Sequence, residues 1–248
     1  MSRRVNLNAD LGEGCGDDQA MLDLVASANI ACGFHAGDAM EMTRTVRAAL
    51  ARGVSLGAHP SYPDREGFGR RPMDLSAAEI EAVTAYQIGA LQGIAAANGG
   101  RLGHVKPHGA LSNRAAVELE AALAIARAIR GVDAGLIFLA PSGSAMVEAG
   151  RMLGLRVAQE VFADRNYDDD GNLAPRSHPQ ALIRGLEEAA AHALRMVRRG
   201  VIRTLSGREL PCVADSICIH GDDPHAVVLA RHLRLTLDDS DIEVVSLI

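Results

Sequence analysis

The chain of 248 residues contains no tryptophan and only three tyrosines and four phenylalanines. Bases and sugars commonly stack on aromatic side chains, so this scarcity argues against a site for such ligands. The chain also lacks a run of lysines and arginines, and its 31 acidic and 25 basic residues give a formal net charge of −6. This charge balance argues against nucleic acid as a partner and favours a small polar substrate.

Cysteine pairs and long apolar runs are absent as well. The four cysteines, at positions 15, 32, 212 and 218, include no CxxC pair, which argues against a cysteine zinc site and against disulfides in a reducing compartment. No uncharged apolar run reaches 18 residues, and Arg3 and Arg4 lead directly into the first apolar run, which leaves no room for a signal peptide. We therefore expect a cytoplasmic protein with no membrane partner.

Several well-known site motifs are missing. The chain has no GxxxxGK[ST] phosphate loop, no GxGxxG after a strand, no HExxH and no GxSxG. The sequence therefore contains no recognisable nucleotide site, zinc-protease helix or serine-hydrolase turn.

What the chain does contain is a repeated alternation of apolar runs and helical patterns. Seven short apolar runs, each ending in polar, charged or glycine residues, lie at 5–8, 28–32, 54–58, 105, 136–140, 157–161 and 217–219. Helical periodicity lies near 17–27, 39–52, 76–98, 114–130, 143–153, 179–200 and 224–234. A capping box of Ser76 and Glu79 marks one helix start. The pattern predicts a single α/β domain of seven βα units over residues 1–248.

The polar clusters at the ends of the apolar runs hold most of the reactive side chains. The carboxyl ends of parallel strands lie on one face of a sheet, so these side chains converge on one pocket and the chain reads as an enzyme. The candidate catalytic residues are Asp10, Glu13, His35, His59, Lys106, His108, Glu160 and His220. The candidate substrate-binding residues are Asp38, Asp64, Arg70, Asp164, Arg165 and Asp222.

Lys106 and His108 carry the clearest signal, because a lysine at a strand end places a cation beside a group that transfers protons. Other candidates have simple structural alternatives. Asp38 can cap the next helix, and Asp164 with Arg165 can form a plain salt bridge. Four histidines and several carboxylates also supply the ligand types of a divalent metal site. Spacing leaves the metal open, since its ligands would come from different strands.

Two long loops and one short insertion complete the organisation. The loops at 59–74 and 164–178 follow strand ends, where loops of this size usually act as lids. The segment 203–213 has the pattern of a small hairpin around Ser206 and Gly207.

Six motifs, which together span nearly the whole chain, resemble those of the LamB/YcsF family. They are NLNADLGE at 6–13, NIACGFHAGD at 29–38, GAHPSYPD at 57–64 with GFGRR at 67–71, VKPHGAL at 105–111, EVFADRNY at 160–167 and CIHGD at 218–222. Two positions depart from the family pattern, which usually has Cys where Ala9 stands and Tyr where Ser112 stands. The second departure puts any step that depends on a phenol in doubt.

The resemblance implies a distorted seven-stranded TIM-like β/α barrel, similar to polysaccharide deacetylases and related glycoside hydrolases. It also implies that the chain is the A component of a three-part 5-oxoprolinase, with subunits B and C as partners and ATP as co-substrate. The implied reaction converts 5-oxo-L-proline, ATP and water to L-glutamate, ADP and phosphate. The family reaction then suggests Lys106 and Arg70 for anionic groups, Asp10 or Glu13 as base, and His108 or His59 as acid or phosphate ligand.

Two other functions remain open from the sequence. One is a metal-dependent deacetylase or amidohydrolase that works without ATP, and the other is a non-catalytic subunit that binds 5-oxoproline for its partners. The missing phosphate loop keeps the second alternative open.

Overall fold

A closed barrel of seven parallel strands forms the centre of the molecule. A computed structural model describes residues 3–221 and 225–247. The barrel strands are β1 (Arg3–Leu11), β2 (Ser27–Ala31), β3 (Ser55–His59), β4 (Leu102–Val105), β5 (Ile137–Pro141), β6 (Arg156–Phe162) and, after a hairpin, β9 (Ser216–Ile219). They pair in chain order, and β9 pairs with both β6 and β1 to close the ring. The prediction of a seven-stranded α/β barrel is therefore confirmed.

Three further strands of the described chain lie outside the ring. The strands β7 (Val201–Arg203) and β8 (Glu209–Pro211) form an antiparallel hairpin, as the pattern at 203–213 predicts. The strand β10 (Ile242–Val244) pairs in parallel with the first residues of β1, and no sequence pattern indicated it.

Eight helices surround the strands in the described part of the chain. They are α1 (Asp18–Leu22), α2 (Ala39–Ala51), α3 (Ala77–Ala97), α4 (Gly109–Val117), α5 (Leu119–Val132), α6 (Ala145–Met152), α7 (Leu186–Arg199) and α8 (Ala226–Asp238). No described helix is long and apolar enough to span a membrane.

Three of the predicted helices differ from the observed ones. The segment predicted as one helix at 114–130 forms two, because Glu118 adopts an extended backbone between α4 and α5. The helix predicted from 179 begins only at Leu186, since the chain before it pairs with the loop after β6 through Leu182 and Arg165. The helix predicted at 17–27 ends at Leu22, and Ser27 already belongs to β2. Hydrophobic periodicity alone does not show at which residue a helix ends and the next strand or loop begins.

Local signals account for the remaining helix ends. Ser76 and Glu79 form the predicted capping box at the start of α3, with each side chain accepting a backbone N–H. Gly200 ends α7 in the left-handed conformation, which glycine adopts without a Cβ penalty.

Along β1, side chains alternate between an apolar outer face and a polar inner face. On β1, Leu7 and Ala9 join the hydrophobic core shared with the helices. Asn6, Asn8 and Asp10 instead hydrogen bond to side chains of other strands across the interior. A polar network thus occupies the interior beside β1, and buried polar groups are tolerated only when their hydrogen bonds are satisfied.

Gly57 on β3 makes room for one member of this network. A Cβ at position 57 would overlap the imidazole of His104, which projects from β4 into the barrel. Nε2 of His104 lies 2.7 Å from Oδ1 of Asn29, an acceptor, so Nε2 carries the ring proton. Burial, followed by the charge of Lys106, lowers the pKa of His104 to about 3, and the ring is neutral at pH 7.

The chain after β10 covers the amino-terminal end of the barrel. The carbonyl of Val245 accepts the side-chain amide of Asn6 at 2.8 Å, and the amide of Val245 donates to the carbonyl of Val5. Leu247 packs on Ile137 and Leu139. With this end closed, the carboxyl ends of the strands are where the interior meets solvent.

Candidate active site

A cavity of about 300 Å³ opens at the carboxyl ends of the strands. Its floor includes Asp10 from β1, His59 from the end of β3 and Glu160 from β6. Lys106, directly after β4, and His220, directly after β9, complete the floor. His108 lines the cavity as well, so the structure brings together six of the eight predicted catalytic residues, as the parallel strand ends require.

Lys106 occupies the centre of a buried charge cluster. Its ammonium donates to Oδ1 of Asp10 at 2.9 Å and to Sγ of Cys218 at 2.9 Å, and it lies 3.3 Å from Oε2 of Glu160. The side chains of Lys106, Asp10 and Glu160 are at most 5% exposed. Two carboxylates thus share one ammonium inside a low-dielectric interior, where such contacts are strong and an unpaired charge is costly.

The two carboxylates of this cluster have pKa values shifted in opposite directions. Burial alone would raise the pKa of Asp10, but the neighbouring His59 and the ammonium of Lys106 hold that pKa well below its usual value. Burial raises the pKa of Glu160, and Lys106 offsets this only in part. The pKa of Lys106 is held well above its usual value, because Asp10, Cys218 and Glu160 outweigh its burial. Asp10 therefore stays ionised, while Glu160 is the better proton carrier.

Three histidines and Glu13 meet beside this cluster. Nε2 of His59 lies 3.0 Å from Nδ1 of His108, and Nε2 of His35 lies 3.1 Å from Oε1 of Glu13. All four residues are buried, and their nearest ligand-type atoms lie within 4.8 Å of one another. Burial, followed by the proximity of His59, lowers the pKa of His35 to about 2. Burial also holds the pKa of His108 well below its usual value. Both rings are neutral at pH 7.

Of these four, His108 and His59 line the cavity, whereas Glu13 and His35 stand behind them. The loop after β3 fixes the arrangement. Gly69, at a φ of 66°, passes so close that a Cβ there would lie 2.9 Å from Cβ of His35 and 3.0 Å from Cδ2 of His108. The carbonyl of Phe68 accepts Nε2 of His108 at 2.9 Å. Whether this loop opens and closes as a lid stays a prediction.

His220 and Asp164 form a second acid–base pair across the cavity. Nδ1 of His220 lies 2.8 Å from Oδ2 of Asp164. Burial would raise the pKa of Asp164, but His220 holds that pKa below its usual value. An ionised carboxylate on Nδ1 fixes the imidazole with its Nε2 available to another group. The salt bridge expected between Asp164 and Arg165 is therefore not the main contact of Asp164.

Three arginines surround the mouth of the cavity. Arg70, Arg165 and Arg176 all line it, and Arg70 also lies over the ring of Phe68 at 4.9 Å. Arg165 is buried and donates to the carbonyls of Ala174 and Ala181. These guanidinium groups lie at the cavity mouth and can form charge-assisted hydrogen bonds with an anionic ligand, whereas the ammonium of Lys106 is shared by two carboxylates.

Two predicted substrate-binding residues, Asp38 and Asp64, do not line this cavity. Asp38 is exposed and caps α2, with its carboxylate accepting the amide of Glu41 at 2.8 Å. Asp64 is buried inside its loop, where it accepts the side chain of Arg71 and the amide of Gly67. Both lie apart from the cavity because local hydrogen bonds hold them elsewhere. Asp222 lies outside the described residues.

The sequence reasoning did not single out several residues that shape the site. Cys218 contacts Lys106, Asn8 and Asn29 support Asp10 from within the barrel, and Arg176 lines the cavity. Polar residues at every second position of β1 already indicated that Asn6, Asn8 and Asp10 share the inner face of the barrel. Lys106 also carried an unused signal, because it is the only lysine of the chain.

The fold and the site together define a parallel β/α-barrel protein whose charged groups meet at the carboxyl ends of the strands. A model of the LamB/YcsF family matches residues 5–248. The chain belongs to the LamB/YcsF family.

Its relatives match it from end to end. A protein of Methylococcus capsulatus, named as the A component of 5-oxoprolinase, is 54% identical, with 100% of this chain and 97% of that protein covered. A protein of the same name from an Azoarcus species is 55% identical, with 98% and 97% covered.

Solved structures support the same fold. The lactam utilization protein of Thermus thermophilus superimposes with a TM-score of 0.92 at 46% identity, covering 98% of this chain and 99% of that one. A protein described as T48 deacetylase superimposes with a TM-score of 0.53 at 14% identity, over 99% of this chain and 88% of that one. The second likeness concerns the fold alone.

Proposed function

We propose that this chain provides the site at which 5-oxo-L-proline is opened to L-glutamate, in an ATP-dependent reaction that also requires subunits B and C of a 5-oxoprolinase. The observation that carries the proposal is the buried cluster of Lys106, Asp10 and Glu160 under an arginine-rimmed cavity of about 300 Å³. It occurs in a chain that matches proteins named as the A component of 5-oxoprolinase over 97% of their length.

The chemistry explains why ATP is needed. An unstrained lactam is a poor electrophile, and transfer of the γ-phosphoryl group of ATP to its carbonyl oxygen makes the carbon easier to attack. Water then adds to this carbon, and the ring nitrogen leaves with a proton. A second water releases phosphate, so each turnover consumes one ATP and two waters. The site must hold anionic groups, deprotonate water and protonate the departing nitrogen.

The cavity offers a group for each of these tasks. Arg70, Arg165 and Arg176 hold the carboxylate of the substrate and the phosphoryl group. His220, oriented by Asp164, accepts a proton from water through Nε2 and can return it to the ring nitrogen.

The buried charged residues in the floor of the cavity contribute to the same reaction. Glu160, whose pKa is raised by burial, is a second proton carrier beside His220. The ion pair of Lys106 and Asp10 keeps the floor of the cavity polar and fixed in place, and such preorganised charges stabilise charge that develops in a transition state.

One feature of the sequence supports the partner requirement. The chain has a crowded polar cavity but no phosphate loop of the GxxxxGK[ST] type, so we place part of ATP binding on the other two subunits.

The decisive experiment measures glutamate and phosphate release from 5-oxoproline and ATP. It compares this chain alone, subunits B and C alone, and the three together. We expect release of both products only from the complete mixture, in equal amounts. Full turnover by the isolated chain would remove the partner requirement, and a complete mixture without glutamate formation would refute the proposed reaction.

A further inference from the structure

The hydrogen bonds of His59 define which of its nitrogens is available. Nδ1 of His59 lies 2.7 Å from the backbone carbonyl oxygen of Lys106. A carbonyl oxygen only accepts, so Nδ1 carries the proton. The lone pair of the ring is then on Nε2.

His108 also donates one ring N–H to a backbone carbonyl, but through Nε2 and not through Nδ1. Nε2 of His108 lies 2.9 Å from the carbonyl oxygen of Phe68 and must donate to it. Its lone pair is therefore on Nδ1, which faces Nε2 of His59 at 3.0 Å. Two acceptor nitrogens thus point at each other inside the protein.

His35 is oriented through a hydroxyl. The hydroxyl of Ser61 donates its one proton to the carbonyl of Tyr62 at 2.9 Å, so it accepts from Nδ1 of His35, also at 2.9 Å. The lone pair of His35 lies on Nε2, which faces Oε1 of Glu13 at 3.1 Å. This is a second close contact between two acceptors.

A cation between these four atoms removes both conflicts at once. One proton can relieve only one of the two contacts, and the second contact would remain repulsive. The distances also suit a metal ion. Four tetrahedral ligands at bonds of about 2.0–2.1 Å lie about 3.3 Å from one another. The two acceptor pairs, His59 with His108 and His35 with Glu13, are separated by 3.0 and 3.1 Å. Oε1 of Glu13 also lies 3.7 Å from Nδ1 of His108 and 3.9 Å from Nε2 of His59.

We propose that Glu13, His35, His59 and His108 form a binding site for one divalent transition-metal ion of the zinc type. Three neutral imidazoles and one carboxylate are the donor set that such ions prefer. The other nitrogen of each imidazole donates its N–H to a backbone carbonyl or to the hydroxyl of Ser61. Metal-binding histidines usually have such an outer hydrogen bond. Oδ2 of Asp10 lies 3.5 Å from Nε2 of His59, so the ion borders the cavity. The proposal of this metal site is based on the hydrogen-bond directions and does not depend on the identity of the substrate.

A second group of ligand-type residues is a poorer site. Asp10, Cys218 and His220 also lie close together, but the ammonium of Lys106 contacts both Asp10 and Cys218. A second positive charge there would be repelled by Lys106.

The test is direct binding of metal to the full chain. The protein is first treated with chelator and then titrated with Zn²⁺ by calorimetry, and with Co²⁺ by visible absorption, which reports tetrahedral coordination. We expect one ion per chain. His108→Phe and Glu13→Gln should weaken binding by more than the about 10–100-fold that loss of an outer hydrogen bond costs, and Ser61→Ala should fall within that range.

Two matched variants complete the design. His192→Gln removes a buried imidazole on α7 and should leave metal binding unchanged. His220→Gln should also leave it unchanged, because the metal does not bind at Asp10, Cys218 and His220. Circular dichroism verifies the fold of each variant, and Ser61→Ala, which keeps all four ligands, decides the matter if the others unfold. The absence of binding to the wild type, or unchanged binding in folded ligand variants, would overturn the proposal.

Discussion

The ammonium of Lys106 and the carboxylate of Asp10 meet at 2.9 Å in the middle of the barrel. Asp10 belongs to β1 and Lys106 follows β4, two strands that are not neighbours in the ring. The pair therefore crosses the interior, and its members are 96 residues apart along the chain. It fixes the floor of the cavity as part of a network that also holds Glu160 and Asn8.

Lys106→Met should destabilise the protein as well as inactivate it. The substitution leaves the buried carboxylates of Asp10 and Glu160 without their shared cation, and breaking a buried ion pair in this way costs about 3–5 kcal/mol. Urea unfolding at pH 7 measures the loss. The double variant Lys106→Met with Asp10→Asn should recover part of it, since one uncompensated charge is removed. Equal stability of Lys106→Met and wild type would show that the cluster is not buried as described.

Asp164→Asn should lower kcat more than it changes KM. The substitution removes the carboxylate that orients His220, and loss of a positioned proton-transfer group costs about 10²–10⁴-fold. The pH profile of kcat, measured with the complete mixture of three chains, should also change shape, which a merely structural defect would not cause. Asp239→Asn, on an exposed helix end, serves as the control. A normal profile at full activity would remove His220 and Asp164 from the mechanism.

Arg70→Ala should reduce kcat/KM for 5-oxoproline by about 10–100-fold, because a hydrogen bond to a charged group contributes about 1.5–3 kcal/mol. The side chain is exposed at the cavity mouth, so the melting temperature should stay close to that of the wild type. Arg203→Ala, in the hairpin of β7 and β8, is the matched control and should keep full activity. If both variants behave alike, Arg70 does not bind the substrate.

Stability should fall with acid through the titration of His192. Burial, followed by the charge of Arg195, lowers the pKa of this imidazole to about 4, compared with about 6.5 in an unfolded chain. Between these values the unfolded chain binds more protons at this group than the folded one, so the contribution of His192 to stability drops by about 3 kcal/mol as the pH falls from about 6.5 to 4.

Denaturant unfolding at several pH values checks this window. His192→Gln should flatten the slope there, while His178→Gln, at an exposed histidine, should not. An unchanged slope in His192→Gln would show that other groups control acid unfolding.

Gly57→Ala should destabilise the barrel, because the added methyl group overlaps the ring of His104 and overpacking a core costs about 1–3 kcal/mol. Gly89→Ala provides the opposite control. It lies on the exposed side of α3 with no atom within 4 Å of its new Cβ, and replacing a helical glycine by alanine stabilises by about 0.5–1 kcal/mol. Thermal melting compares the two. A Gly57→Ala variant as stable as wild type would contradict the described packing of His104.

The alternation of apolar runs and helical patterns was sufficient to predict seven βα units, and the resemblance to the LamB/YcsF family implied that they close into a barrel. Each apolar run became a strand within a few residues, and the signal was strong because every strand and helix must bury an apolar face. The capping box at Ser76 also acted locally and was predictable. The late start of α7 was not, because pairing between Leu182 and Arg165 depends on a contact between segments that periodicity does not connect.

The sequence by itself determined which residues stand at the ends of the strands, since this follows from chain order and the period of each element. It could not determine which of them meet. Asp38 and Asp64 have the same residue type and similar positions as Asp10, yet local hydrogen bonds hold them outside the cavity. The pairing of Lys106 with Asp10, and the direction of each histidine proton, depend on distances across the barrel. Only the closed ring of strands fixes those distances, because its neighbours are set by long-range pairing and not by sequence separation.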